Sequence, residues 1–315
     1  MRTLLFTIDR LQFINNSLIA YEFIDLNDER LYKKGINHEF MEAKIKYLSE
    51  TFKTNFYLIQ YNMLQGQYWI GKNHEKKTEI EFKNWFLDKN KSSNKNDSLI
   101  NSKPLGSATT NFGDPFVQNS LKNIYSECEK FKDVDFSNDD NGLILVESIL
   151  NGENTYGFDF DLYESSENIV IEFLKRDNPH ITNITAHPNR YLWNYRKFLN
   201  LWNAANIIKK DVPNLFLVNY SDDFTEPINL IKVLEFNSEA SFDKVGIVSD
   251  ISYKFSDYFE FINWLKILNY NPSEALTMLE SFPKEIRNNE FWKGFEDGKT
   301  ECAREIKKKI GLSLK

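Results

Sequence analysis

Residues 157–176, GFDFDLYESSENIVIEFLKR, leave few folding options open to the chain around them. In Phe158–Tyr163 the side chains alternate at period 2, so Asp159 and Asp161 share one face and Phe158, Phe160 and Leu162 the other. Glu164–Asn168 is a polar turn, and Ile169–Leu174 is an apolar strand of the kind buried on both faces, interrupted by Glu172. A lone carboxylate inside such a strand is costly unless something pairs with it. Two carboxylates on one strand and one on the next would suit a hard divalent cation.

Chain length and composition set the frame for this hairpin. A chain of 315 residues with 41% apolar and 15% aromatic residues buries a sizeable core, as one large domain or two small ones. A formal charge of −7 argues against a chain-wide basic footprint for nucleic acid and leaves a local basic patch open. Cys128 and Cys302 make neither a disulfide framework nor a cysteine zinc site, which suits a reducing compartment. MRTLLFTIDRLQF has charges every few residues, unlike a signal peptide, and no apolar run approaches ~18 residues. The expectation is a soluble, cytoplasmic protein with no membrane insertion.

Read in order, residues 1–87 predict a small N-terminal α+β domain. It has strands at Thr3–Ile8 and Leu18–Ile24, a helix over Asn37–Phe52, and a hairpin of Asn55–Tyr61 and Gln67–Gly71 turning at Gly66. Lys72–Lys77 reads as a charged connection and residues 88–111 as a polar linker or loop. Asp114-Pro115 opens a helix that runs through Val117, Leu121, Ile124 and Phe131. Asp133–Asn141 is an acidic turn, and Gly142–Leu150 reads as a strand. After the acidic hairpin come an irregular connection, a helix over Asn189–Lys210 and a strand at Leu215–Tyr220. Residues 223–315 form a C-terminal extension, mainly helical, ending in a helix over Glu290–Ile310 whose Gly294 and Gly298 read as ordinary close packing or fraying rather than a dimerisation seam. No internal repeat is evident.

The order α–β–β–β–α–β over residues 112–222, with an acid on the second strand and another on the third, resembles the PD-(D/E)XK, or restriction-endonuclease-like, nucleases. Gly157-Phe158-Asp159-Phe160-Asp161-Leu162 matches the first half of the pattern seen in resolvase-like members, and Ile171-Glu172-Phe173 opens the second. The resemblance implies an α/β fold with a mixed central sheet flanked by helices. It also implies Mg²⁺- or Mn²⁺-dependent hydrolysis of phosphodiester bonds, in DNA rather than RNA, with antiviral defence as a family setting. Asp161, Glu172 and the Phe173 carbonyl would hold the metal, with Asp159 as a further ligand and Lys175 completing the catalytic set. Arg190, Arg196 and Lys197 would meet the phosphate backbone, and Glu127 from the first helix would be an accessory acid. A homo-oligomer or a partner protein is open.

The sequence departs from the pattern where the lysine belongs. Two residues after Glu172 stands Leu174, and Lys175 points to the opposite face of a regular strand. Three outcomes stay open: a β-bulge bringing Lys175 round, a charge supplied by Arg176 or Lys197 instead, or a site that only binds nucleic acid or protein. Asp159 and Asp161 would also fit a solvated outer strand face, or the paired carboxylates of a nucleotidyltransferase, although the Gly-Ser pair that such an enzyme needs upstream is missing. His180 and His187 read as loop histidines bonding locally, and the aromatic face of the helix over Asn189–Lys210 as core.

Overall fold

A two-residue turn starts the fold. Asn15 and Asn16 both take positive φ, 50° and 62°, which fits a hairpin turn whose twist matches that of its strands. The turn joins β1 (Phe6–Ile14) to β2 (Ser17–Asp25). There follow α1 (Ile36–Phe52), β3 (Phe56–Asn62), β4 (Gln67–Ile70), β5 (Glu75–Thr78), α2 (Glu79–Lys91) and the two-residue β6 (Lys103–Pro104). Next are α3 (Pro115–Ser126), α4 (Gly142–Leu150), β7 (Asn154–Thr155), β8 (Phe158–Glu164), β9 (Ile169–Lys175), α5 (Tyr195–Ile208) and β10 (Asn214–Tyr220). The order closes with β11 (Ile228–Phe236), β12 (Ile247–Phe255), α6 (Tyr258–Tyr270), α7 (Pro272–Leu279) and β13 (Lys284–Arg287). The computed structural model describes residues 5–27, 36–71, 73, 75–91, 103–104, 114–126, 142–151, 154–176, 180–190, 195–209, 213–237 and 246–294.

The fold is mixed α/β on one large sheet. Among the described residues eleven strands run in the order β13-β12-β11-β10-β9-β8-β1-β2-β3-β4-β5, while β6 and β7 form a separate two-stranded sheet. Two neighbouring pairs, β2–β3 and β9–β10, are parallel and the others antiparallel. Each parallel pair is bridged in sequence by a helix, α1 or α5, as a parallel connection requires. Helices cover the sheet because its central strands are apolar on both faces: Ile169, Val170, Ile171 and Phe173 of β9 are all buried. Phe116 of α3 stacks on Tyr220 at 4.2 Å and meets Phe261 of α6 at 5.9 Å. Phe82 and Phe86 of α2 join Leu145 and Val146 of α4 over Tyr21 and Phe23 of β2. Among the described residues no helix is long and apolar enough to cross a membrane.

Several expectations change. Gly142–Leu150 is a helix, not a strand. A short apolar run carries no decisive period, and its burial settles the matter: Leu145, Val146, Ile149 and Leu150 are buried while Ile144 is 60% exposed, the spacing of one helical face. Gly142 permits the contact, since a Cβ there would lie 2.3 Å from the Phe23 ring. The first strand of the expected β–β–β run is therefore missing from its place in sequence. β1, from the N-terminus, lies antiparallel beside β8 instead. The N-terminal strands thus continue the sheet of the expected core. Glu75–Lys77 of the charged connection form β5 together with Thr78, and α2 runs into the expected linker. The C-terminal extension contributes three strands as well as α6, α7 and a helical stretch over residues 289–294, where the expected last helix begins. Residues 133–141 and 295–310 lie outside the described residues.

Candidate active site

The acidic hairpin forms where the alternation places it. At its turn the buried carboxylate of Glu164 accepts the N–H groups of Ser166 (2.7 Å) and Glu167 (2.8 Å), and Asn168 takes φ 51°. The β8–β9 ladder runs from Glu164↔Ile169 to Leu162↔Ile171 and stops there, although both strands continue. The next residues in register are Asp161 and Glu172, which fall opposite each other on one face. Where the ladder ends, the Phe173 N–H loses its strand partner and donates to Asp161 Oδ2 at 2.6 Å. The Phe173 carbonyl leaves the strand on the same edge as that N–H. Two carboxylates and a main-chain carbonyl thus gather at the parting of two strands.

The balancing charge comes from a helix. Lys197, in the first turn of α5, forms an ion pair with Glu172 Oε1, and Glu172 itself is 1% exposed. Burial works against the ammonium, but Glu172, Asp159 and Asp161 together more than offset it and hold the lysine charged, above its usual range. Burial, then the neighbouring charges of Glu172 and Asp159, push the Asp161 carboxyl well above the ordinary carboxylate value; Lys197 and the Phe173 N–H pull the other way. The site therefore favours anything that adds positive charge beside Asp161.

The other predicted residues go elsewhere. β9 keeps an unbroken parallel register against β10 from Ile169↔Asn214 to Lys175↔Tyr220, so no bulge turns Lys175 towards Glu172. Lys175 instead pairs on the opposite face with Asp114 (3.0 Å) and Asp222 (2.7 Å), and those two partners hold it charged. Asp114 also caps α3, accepting from the Phe116 N–H at 2.9 Å. Arg176 is bound to Glu226 (2.6 Å) and Asn183 (3.1 Å). Arg196 is exposed, with its Nε on the Tyr195 hydroxyl at 2.9 Å. Arg190 closes a short 3₁₀ turn, Pro188–Arg190; its side chain and the whole of Glu127 lie outside the described residues. His187 does bond locally, accepting from the Asn189 N–H at 3.1 Å, and it also faces Asp250 at 3.3 Å.

Gly157 has a steric task beside the site. A Cβ at this position would lie 2.3 Å from the guanidinium carbon of Arg10, which is buried and donates to Thr155 (2.8 Å) and Asn90 (2.9 Å). Burial pulls the Arg10 pKa down to about 10, with Tyr21 and then Asp159 acting in the opposite sense. Among the described residues no three His, Cys, Asp or Glu side chains converge as a ready cage for a metal ion. The donor set offered is two carboxylates and a carbonyl, all hard oxygens, which suits a cation such as Mg²⁺ that is shared with phosphate oxygens and water. Comparison of the chain with protein-family models, with curated proteins and with solved structures finds no match.

Proposed function

We propose that the chain is a metal-dependent nuclease whose active centre is Asp161, Glu172 and Lys197, on a restriction-endonuclease-like arrangement of β1, β8, β9, α5 and β10. The observation that carries the reading is the pairing of Asp161 and Glu172 across the parted ends of two antiparallel strands, with a lysine from the following helix on the glutamate. Lys197 takes the part that the sequence pattern gives to a lysine two residues after the glutamate. Asp161, Glu172 and the Phe173 carbonyl would hold Mg²⁺ or Mn²⁺, which when bound polarises a phosphate and acidifies its water. Lys197 would orient the attacking water and offset charge on the phosphate as the bond breaks. Asp159, on the same strand face as Asp161, adds a further negative charge that draws the cation in. Double-stranded DNA is the proposed substrate, Arg196 being an exposed cation one residue from the catalytic lysine.

The test is incubation of supercoiled and linear DNA with Mg²⁺ or Mn²⁺, comparing the unsubstituted protein with Asp161→Asn, Glu172→Gln and Lys197→Met. Metal-dependent cutting should fall by at least about 100-fold in each variant, while Lys175→Met cuts normally. Cutting that survives Asp161→Asn and Glu172→Gln would refute the assignment. DNA binding without cutting in all proteins would make the Lys197–Glu172 pair the closed centre of a binding module.

A further inference from the structure

Although the sequence shows no obvious repeat, the fold contains one. Outward from the β1–β8 pair the sheet reads the same in both directions: β1-β2-β3-β4-β5 one way and β8-β9-β10-β11-β12 the other. Each half is an antiparallel hairpin, a helix, a strand parallel to the second, two more antiparallel strands and a further helix. The equivalences hold residue by residue. Glu22 lies beside Leu58 in the first parallel pair and Glu172 beside Leu217 in the second. That register aligns NFYLIQYN (55–62) with NLFLVNYS (214–221). The helices that follow β5 and β12 align EFKNW (81–85) with EFINW (260–264). The first glutamate of each motif accepts a main-chain N–H at the helix start, from Thr78 at 2.8 Å and from Ser256 at 2.6 Å.

The equivalence extends to the active centre. Asp9 and Glu22 fall opposite each other one step past the end of the β1–β2 ladder, as Asp161 and Glu172 do past the end of β8–β9. The Phe23 N–H donates to Asp9 Oδ2 at 2.8 Å, matching Phe173 and Asp161. Lys44, from the helix after β2, forms an ion pair with Glu22 Oε1, matching Lys197 and Glu172. The two centres differ in access and charge. The Asp9, Glu22 and Lys44 side chains are 0% exposed, whereas Lys197 keeps 24% of its side chain exposed. Where the C-terminal centre has Asp159, two residues before its aspartate, the N-terminal one has Thr7, whose hydroxyl accepts from Lys44 Nζ at 3.3 Å. The N-terminal centre thus has one carboxylate fewer to attract a cation.

We infer that the chain is an internal duplication carrying two copies of the Asp–Glu–Lys centre, of which the N-terminal copy is closed and structural and the C-terminal copy alone is open to a phosphodiester substrate. Resting on the nuclease reading above, this means one cut strand per engagement: a nickase built on a paired scaffold. Supercoiled plasmid at limiting protein with Mg²⁺ or Mn²⁺ should pass to the open circle without linear product. The variant Asp9→Asn/Glu22→Gln/Lys44→Met, neutral and close in shape, should keep its nicking rate within about 3-fold. Linear product made directly by the unsubstituted protein, or loss of cutting in that folded variant, would overturn the inference by showing a second working centre. A readout independent of cleavage is carbodiimide–amine labelling of the unsubstituted protein, followed peptide by peptide. Asp159 and Asp161 should be modified at least about 10-fold faster than Asp9 and Glu22, which react only through local opening. Equal labelling of the two centres overturns the closure. If the unsubstituted protein cuts no DNA, the nuclease reading fails by itself, and the labelling ratio still decides whether the N-terminal centre is closed. The labelling also decides if the triple variant does not fold.

Discussion

Replacing Lys44 by methionine tests the energetics of the closed centre most directly. Methionine keeps most of the aliphatic stem but removes a buried positive charge that pairs with both Asp9 and Glu22. Both carboxylates have side chains shut from solvent, so neither gains enough from water when the ammonium goes. Breaking a buried ion pair by removing one partner costs about 3–5 kcal/mol, because the charge left behind is uncompensated. Unfolding entropy of about 2.1 cal/mol/K per residue gives about 0.66 kcal/mol/K for this chain, so the loss corresponds to a Tm lower by about 5–8 °C. The sign with pH follows from the same charges. Without Lys44, burial and mutual repulsion raise the native-state pKa of the two carboxyls above their unfolded values. A raised carboxyl contributes stability that is present below its unfolded pKa and lost as pH rises through the folded one. The deficit of Lys44→Met against the unsubstituted protein should therefore widen from about pH 4 upward, as followed by thermal and urea unfolding. Adding Asp9→Asn and Glu22→Gln should recover most of it. A loss below about 1 kcal/mol, or one that stays flat with pH, would refute the argument that an unbalanced buried charge is being created.

Two further outcomes follow from the open centre and from α4. The Asp161 carboxyl is raised by burial and then by Glu172 and Asp159, so its stabilising contribution holds below about 3.8 and is lost as pH rises through its folded value. Asp161→Asn should then abolish cutting yet raise Tm at pH 7.5 by about 2–5 °C, corresponding to about 1–3 kcal/mol of relieved charge burial, whereas a lower Tm would contradict the cause given for the shift. Gly142→Ala places a methyl 2.3 Å from the buried Phe23 ring. It should cost about 1–3 kcal/mol by urea unfolding, and a neutral outcome would mean that α4 does not sit on Phe23 as described.

Local patterns determined the local elements. Period-2 alternation located β8 and its two aspartates, the apolar run located β9, and Gly66, at φ 59°, marked the β3–β4 turn. Asp114-Pro115 opened α3, and the helix over 37–52 formed within one residue of its expected start. These features depend on neighbours in the chain, so the chain displays them. The Glu172 position announced a need for a partner but not its identity. Lys175, three residues on, was the obvious choice by distance in sequence, and strand parity sends it to Asp114 and Asp222 instead. Lys197 is 25 positions away from Glu172 in the numbering and reaches it because the helix after β9 packs back over the sheet.

The sequence by itself therefore determined the hairpin, the acids on one of its faces and the α/β class. Only the tertiary structure decided that β1 stands beside β8, that Gly142–Leu150 is helical, and that a second Asp–Glu–Lys centre lies in the N-terminal half. The reason is the same in each case. A short buried apolar run does not reveal which element it forms, and a strand does not name its neighbour until helices and strands distant in sequence compete for the same apolar faces. The repeat was hidden because unequal insertions separate its few shared residues, while the sheet register that both halves keep is set by pairing and packing rather than by residue identity.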